Sequence, residues 1–481
     1  MGYVLTEIAS GENNRVFMDD NHLYRLLPQV EADFFLKMLF DLKPNIKESV
    51  VTTVKVEHDI GIQKSNDQTI LAHKKIKFIS YPHEWCASML KDAALFHLKL
   101  QQDLLVSDLF LKDAHPWNIL FEKGKFTFVD LPSIITKDKF ATLDYIPAPS
   151  EARQDLYFFN QIMTMMFIPY FIMPLCGYAY GKRSWVKKCL ETTTLNASTD
   201  VMNIRDCLPP RKLNVANCRR AFRLFQKLGY VKRLLSKEKG AIKNSLENLY
   251  EIVESIDVKL GNSDYKNYYS QKGESNPYEY NDAWNAKQKN VHHALKDESV
   301  ISVMDVACNT GWYSIMAEKL GKQVVALDYD EACIEELYSQ TKEHKYNILP
   351  IWSSFLELTK DRFSITSGKK VLIDFSQRMR CDAVIALGIL HHLVLGMGLT
   401  FEEVLIKLSK CAGTKLVVEF VSLEDEMVEK HPDFFAAYHQ DKNQFAKYNI
   451  DSFIECGKRY FSKYEILTSY PETRSIVVFE C

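Results

Sequence analysis

From Val300 to Cys481, the end of the 481-residue chain, short apolar strands alternate with helical stretches, and no other feature constrains the fold as much. The run reads VISVMDVA, WYSIMAEKLG, QVVALDYD, EACIEELYSQ and NILPIWS, then CDAVIALG, TKLVVEFV, YEILTSY and SIVVFEC. A strand followed by a helix must cross over before it pairs again, so such strands build a parallel sheet with helices on both faces. The last two strands depart from this pattern. Only a short turn at Pro471 separates them, which dictates an antiparallel pair. Residues 285–481 are therefore expected to be an α/β domain with a seven-stranded sheet closed by a hairpin.

The rest of the chain is organised differently. Residues 1–145 mix short strand-like runs with one clear helix, Glu84–Leu105, and read as an α+β module. Residues 146–260 read as helical, with apolar positions at helical spacing in AFRLFQKLGYVKRLL and LENLYEIVESI, and complete that module. Residues 261–284, polar and weakly periodic, are the expected linker. The apolar stretch Tyr157–Tyr178 resembles a membrane span but carries Asn160, Gln161, Thr164, Pro169 and Pro174. A spanning helix needs about 20 mostly apolar residues. This stretch is read as a buried helix broken at Pro169, with peripheral membrane contact as the other reading.

Charge and cysteine content narrow the function classes. The net charge of −2 gives no global attraction to nucleic acid. One segment, 211–243, holds eleven basic residues against Glu238 alone, and it is read as a solvated helix face. The 11 cysteines contain no CxxC pair, which fits reduced thiols in a cytoplasmic protein and no dedicated metal site. No basic region followed by an apolar run opens the chain, so no secretory signal is expected.

The sharpest local motif is Asp305-Val-Ala-Cys-Asn-Thr-Gly311, between a strand and a helix. Ligands of open α/β sheets bind at the carboxyl ends of the strands, and small residues there let the backbone approach them closely. Asp305 can accept from a cationic amino group. Asp328 ends the next strand, 17 residues after Gly311, where an acid accepts from ribose hydroxyls. Only one glycine of the dinucleotide GxGxxG pattern is present, which argues for S-adenosylmethionine (SAM) over NAD. The expected cofactor shell is Asp305, Ala307, Asn309, Thr310 and Gly311 in the turn and Asp328 with Tyr329 after the second strand. Ser353 and Ser354 after the third strand and Leu387 with Gly388 after the fourth complete it.

The fourth strand runs into His391-His392. Methyl transfer from a sulfonium has a good leaving group, so much of its catalysis is positioning. A hydroxyl or amine acceptor must still lose a proton, and a histidine near its natural pKa is the apt base. The two side chains are expected to point apart, so that one serves as base. Glu419, at the end of the fifth strand, is the second candidate for orienting the acceptor.

The runs DVACNTGWYSIMA, VVALDYD, ILPI, CDAVIALGILHHL and LVVEFVSLEDEMV, with FISYPHEWCASMLKDAALFHLKLQ and LFLKDAHPWNILFEKGKFTFVDLPS upstream, resemble the NoeA-like family of methyltransferases, the host-specific nodulation proteins and their bacterial relatives. The resemblance spans almost the whole chain. It implies a class I Rossmann-like, SAM-dependent methyltransferase with an N-terminal extension, acting on surface or signalling glycans. Two positions depart from the family pattern: DVACNTG stands for DLGANTG, and Ser353-Ser354 for an aspartate after the third strand.

The N-terminal extension carries chemistry of its own. Asp113, Asn118 five residues on and Asp130 after a hairpin resemble the catalytic loop of small-molecule kinases, where a base Asp, a metal-binding Asn and a second metal-binding Asp recur. Asn118 and Asp130 are the candidate Mg²⁺ ligands, which would bring Mg-ATP as a second cofactor. Upstream, Gly11 could open a phosphate-covering loop, but Arg25 stands where the third-strand lysine is expected. Three readings follow: a methyltransferase whose kinase-like module binds the acceptor, a bifunctional kinase–methyltransferase, and a binding protein that has lost both activities.

Overall fold

A computed structural model of the chain describes residues 6–9, 15–141, 143, 154–191, 240–258, 263, 279–359 and 374–481. Most of the basic segment, most of the expected linker and Gly11 lie outside the described residues.

The N-terminal strands are β1 (Thr6–Ala9), β2 (Arg15–Met18), β3 (His22–Pro28), β4 (Thr53–Lys55) and β5 (Gln68–Lys74), in an antiparallel sheet of order β1-β2-β3-β5-β4. Helix α1 (Gln29–Asp41) follows β3 directly. Helix α2 (Ala87–Leu105) leads into two small antiparallel pairs. The first joins β6 (Leu109–Leu111) to β9 (Ile134–Thr136), and the second joins β7 (Ile119–Glu122) to β8 (Lys125–Phe128). Helix α2 starts three residues later than the expected Glu84. Pro82–Glu84 forms a single 3₁₀ turn, and Trp85 and Cys86 are extended. The Glu84 carboxylate is taken by the backbone N–H of Tyr81 at 2.8 Å and by Arg378, so it belongs to a cap and an ion pair rather than to the helix.

The apolar stretch is one helix, α3 (Gln154–Ala179), and Pro169 does not break it. Met163–Ile172 are wound as a π-helix instead. Proline removes one N–H and clashes with the carbonyl one α-turn back, and a wider turn relieves both. By length and composition alone α3 could cross a membrane, but 67% of its most apolar window is buried within the protein. Phe167 and Phe171 pack on His97 of α2, which identifies α3 as a core helix. After it come α4 (Arg183–Glu191) and α5 (Ala241–Ser255).

The C-terminal sheet has the expected seven strands: β10 (Ser302–Val306), β11 (Gln323–Asp328), β12 (Ile348–Trp352), β13 (Cys381–Ala386), β14 (Ala412–Val421), β15 (Lys463–Thr468) and β16 (Arg474–Glu480). Their order is β12-β11-β10-β13-β14-β16-β15, parallel except where β16 inserts antiparallel between β14 and β15. This is the sheet of class I Rossmann-like methyltransferases. All five residues of β10 and of β12 are buried, as sheet strands covered on both faces must be. The covering helices are α6 (Ala286–Leu295), α7 (Trp312–Lys319), α8 (Glu331–His344), α9 (Phe401–Cys411) and α10 (Ile450–Gly457). Four have side-chain caps that fix where they begin: Asn285 with Gln288 for α6, Asp330 for α8, Thr400 with Glu403 for α9 and Asn449 for α10.

The two halves pack against each other through polar contacts as well as a shared core. The first two amides of α2 donate to Glu331 at 3.1 Å and Glu335 at 2.8 Å, both on α8. Arg183 pairs with Glu331, Arg378 pairs with Glu84, and Tyr338 donates to Asp92 at 2.7 Å.

Candidate active site

Strand order reverses between β11 and β13 on either side of β10, so a crevice opens at the carboxyl end of β10. The turn that fills this position is left-handed at every second residue: Ala307 at φ +61°, Asn309 at +53° and Gly311 at +87°. For residues with a Cβ this conformation costs roughly 1–2 kcal/mol each. Such strain persists only where surroundings enforce it, commonly at ligand sites. The surroundings here are hydrogen bonds: Cys308 N donates to Leu327 O at 3.0 Å and Asn309 N to Asp328 Oδ2 at 2.8 Å. Gly311 is required twice over, by its φ and because a Cβ would collide with Leu337.

Asp305 and Asp328 flank this turn from the adjacent strands β10 and β11. Asp305 is buried and accepts from Ser314 Oγ at 2.6 Å. Burial, reinforced by the neighbouring Asp328 charge, pushes its carboxyl up to about 7. Asp328 accepts from the backbone N–H groups of Asn309 and of Asp330 (2.9 Å), yet burial still raises it to about 6. Thr310 N donates to the Asn309 side chain at 2.6 Å.

At the end of β12, Ser353 is buried and its N–H donates to Asp328 O at 3.0 Å; Ser354 follows half-buried. The Tyr329 ring is 62% exposed, while its carbonyl accepts from Trp352 Nε1 at 3.0 Å. Lys187 of α4 donates to Trp352 O at 3.0 Å and lies 4.4 Å above its indole ring, so the N-terminal half walls this side of the crevice. Leu387 and Gly388 follow β13, and Gly388, at φ +68°, lies beside Glu419 Oε2.

The histidines differ from expectation in two respects. Their rings do not diverge: they lie 4.3 Å apart and both rest on Phe435, at 5.5 Å and 5.1 Å. Nor are they near a natural pKa. Burial holds His391 well below the usual range and His392 at about 4, and the Arg474 cation adds to both shifts. His391 Nδ1 is buried with no hydrogen-bond partner among the described residues. Glu419, fully buried, accepts from Lys287 Nζ at 2.8 Å and from Ser469 Oγ at 3.0 Å. Lys287, Ser469, Phe435 and the Arg474–Asp425 pair escaped sequence reading. Lys287 in particular precedes the first sheet strand in a helix that looks like an ordinary amphipathic cover.

In the N-terminal half, Asp113 and Asp130 come together. Ser133 Oγ lies 2.7 Å from Asp113 Oδ2 and 2.5 Å from Asp130 Oδ2. Asn118 is brought alongside, because its carbonyl accepts from Val129 N at 2.9 Å. Its Nδ2 is buried without a partner among the described residues. Arg25 reaches Asp130 from β3 at 3.8 Å, and Glu31 of α1 adds its charge to that arginine. Among the described residues no group of three or more His, Cys, Asp or Glu side chains could hold a metal ion.

No family model matches the chain. It is a homologue of the nodulation protein NoeA of Rhizobium meliloti (strain 1021), 26% identical over 386 residues that cover 77% of this chain and 75% of that protein. The ribosomal protein L11 methyltransferase of Thermotoga petrophila is 38% identical over 65 residues, 13% of this chain and 25% of that enzyme. Among solved structures, the bifunctional kinase–methyltransferase WbdD aligns with 13% identity over 44% of this chain and 45% of its own, at a TM-score of 0.29. A TehB-like SAM-dependent methyltransferase from Corynebacterium glutamicum aligns with 13% identity over 45% of this chain and 98% of its own, at a TM-score of 0.28. The chain thus spans under half of WbdD and a quarter of the L11 enzyme.

Proposed function

We propose that the chain is a SAM-dependent methyltransferase that transfers a methyl group to an oxygen or nitrogen acceptor on a glycan or small metabolite, and that the N-terminal module binds the acceptor. The observation that carries this reading is the pair of buried acids, Asp305 and Asp328, on adjacent strands around a turn that is left-handed at alternate residues. Two acids raised by burial favour a ligand that brings positive charge. SAM carries an ammonium and a sulfonium, and when bound it supplies a methyl group on a good leaving group. Asp305 would accept from the ammonium and Asp328 from the ribose hydroxyls. Asn309, Thr310 and Gly311 let the backbone come close, and Tyr329 with Ser353 and Ser354 face the base. His391, His392, Phe435 and Glu419 form the wall on the acceptor side, where exclusion of water and orientation do the work. With both imidazoles neutral, either can accept a hydrogen bond from an acceptor hydroxyl without first losing a proton. The glycan class rests on the NoeA-like resemblance alone. Calorimetric titration with SAM tests the reading. Asp328→Ala should lose at least tenfold in affinity, about 1.4 kcal/mol, and unchanged affinity in a folded variant would sink it.

A second reading, a bifunctional kinase–methyltransferase, is favoured by one observation: Asp113 and Asp130 share the Ser133 hydroxyl, with Asn118 beside them. Oxygen ligands of this kind suit Mg²⁺ together with phosphate oxygens. Arg25, already engaged with Asp130, stands where a lysine would hold nucleotide phosphates. Thermal stabilisation by Mg-ATP that disappears in Asp130→Asn would put this reading first. No stabilisation would leave the module as an acceptor-binding scaffold.

A further inference from the structure

One cation near the methyl-transfer crevice, Lys287, has no assigned task. Lys287 lies in the first turn of α6, outside the sheet, yet its side chain reaches over the strand ends and is only 15% exposed. Among the described residues its ammonium makes one hydrogen bond, 2.8 Å to Glu419 Oε2, and lies 5.5 Å from the centre of the Tyr313 ring. An ammonium has three donors, so one contact leaves two unused. Glu419 is in turn held by Ser469 and borders Gly388, which places Lys287 above the ends of β13 and β14. Tyr313 is the second residue of α7, two positions past Gly311, so the same ammonium also borders the turn that follows β10.

A buried ion pair is weak evidence for a purely stabilising role, because desolvation offsets most of the attraction. Charge complementarity supplies a better account. The amino-acid end of SAM is a zwitterion, and the residues around the Asp305–Gly311 turn offer it an acid, Asp305, and a cation, Lys287, which lies over Tyr313 just past that turn. The ammonium of the ligand belongs to Asp305, so its carboxylate falls to the cation.

We propose that Lys287 is the carboxylate-binding residue of the cofactor site, held in place by Glu419 and Ser469, with Glu419 a positioning residue for Lys287. This rests on the SAM reading. Two ligands separate the two claims: S-adenosylhomocysteine, which carries the amino-acid end, and 5′-methylthioadenosine, which is the same nucleoside thioether without it. The full-length protein should bind the former much more tightly. Lys287→Met would leave the buried Glu419 carboxylate without its cation, so the Lys287→Met/Glu419→Gln double variant is measured beside it. Both should lose tenfold or more in affinity for S-adenosylhomocysteine with affinity for methylthioadenosine unchanged, and Lys287→Arg should recover part of the loss. If the wild type binds neither nucleoside, the SAM reading itself fails. If a folded double variant keeps the wild-type preference, or loses both ligands equally, the assignment of Lys287 is overturned while SAM binding stands.

Discussion

On the proposed reading, in which Asp305 holds the cofactor ammonium, proton linkage at Asp305 makes cofactor affinity depend on pH. Burial raises the free-protein carboxyl to about 7, and the groups facing it are Ser314, Asp328 and Lys287. A ligand whose ammonium pairs with this group binds only the ionised form. Lowering the pH from 8 to 6 then takes Asp305 from about 90% to about 10% ionised, so affinity falls about tenfold, or about 1.4 kcal/mol. Asp328, raised to about 6, adds a further factor of about two over the same range. The expected total is roughly twentyfold weaker SAM binding at pH 6 than at pH 8. The sign follows from the raised pKa: a group protonated in the free protein must give up its proton to bind a cation, so binding strengthens as pH rises through 7. Isothermal titration at several pH values, in buffers of different ionisation enthalpy, would measure both the affinity and the proton released. Asp305→Asn should bind weakly at pH 8 and lose most of the slope. A wild-type affinity that stays flat between pH 6 and 8, or a slope that persists in Asp305→Asn, would mean that Asp305 does not pair with the ligand's ammonium.

Two other expectations follow from the same site. With His392 at about 4 and His391 well below its usual range, turnover at saturating SAM should show no histidine titration between pH 5.5 and 8; a limb near the free imidazole pKa of about 6.5 that His392→Gln removes would contradict this. Gly311→Ala forces a Cβ into left-handed backbone and onto Leu337. It should cost roughly 2–5 kcal/mol in urea unfolding, from the backbone strain and the overpacking together, and a loss within about 0.5 kcal/mol would mean the turn can relax.

What could be read from the sequence was whatever a local pattern dictates. Strand–helix alternation in 300–481 required the sheet, and the short turn at Pro471 required the β15–β16 pair, because neither outcome depends on distant residues. The placement of Asp305, Gly311 and Asp328 at strand ends was legible for the same reason, because a strand end is a local event that does not depend on what covers the sheet. The errors came where a distant partner decided the result. Glu84 looked helical until Arg378, 294 residues away, claimed its carboxylate. Pro169 looked like a break, but packing of Phe167 and Phe171 on His97 keeps the helix going through a widened turn. The histidines looked titratable because their burial under Phe435 depends on a segment 43 residues further on.

The docking of the two halves bears on how the sites communicate. The acid that would hold the ribose, Asp328, is followed by Asp330, the cap of α8, and by Glu331, the first residue of that helix. Glu331 takes the first amide of α2 and the Arg183 guanidinium, and Glu335 takes the next amide. Burial raises Glu331 to about 7 despite the Arg183 cation opposing it, so this carboxylate is poorly solvated and depends on its partners. The start of a single helix thus carries one end of the crevice and the anchor of the N-terminal module. Lys187 and Trp352 make a second junction at the end of β12. A module joined only by a flexible tether would leave the crevice indifferent to what it binds. Here any shift of α2 or α4 bears directly on residues one to three positions from Asp328. If the N-terminal half captures the acceptor as proposed, its site and the cofactor site share structural elements, and a coupling free energy between two sites requires such shared elements.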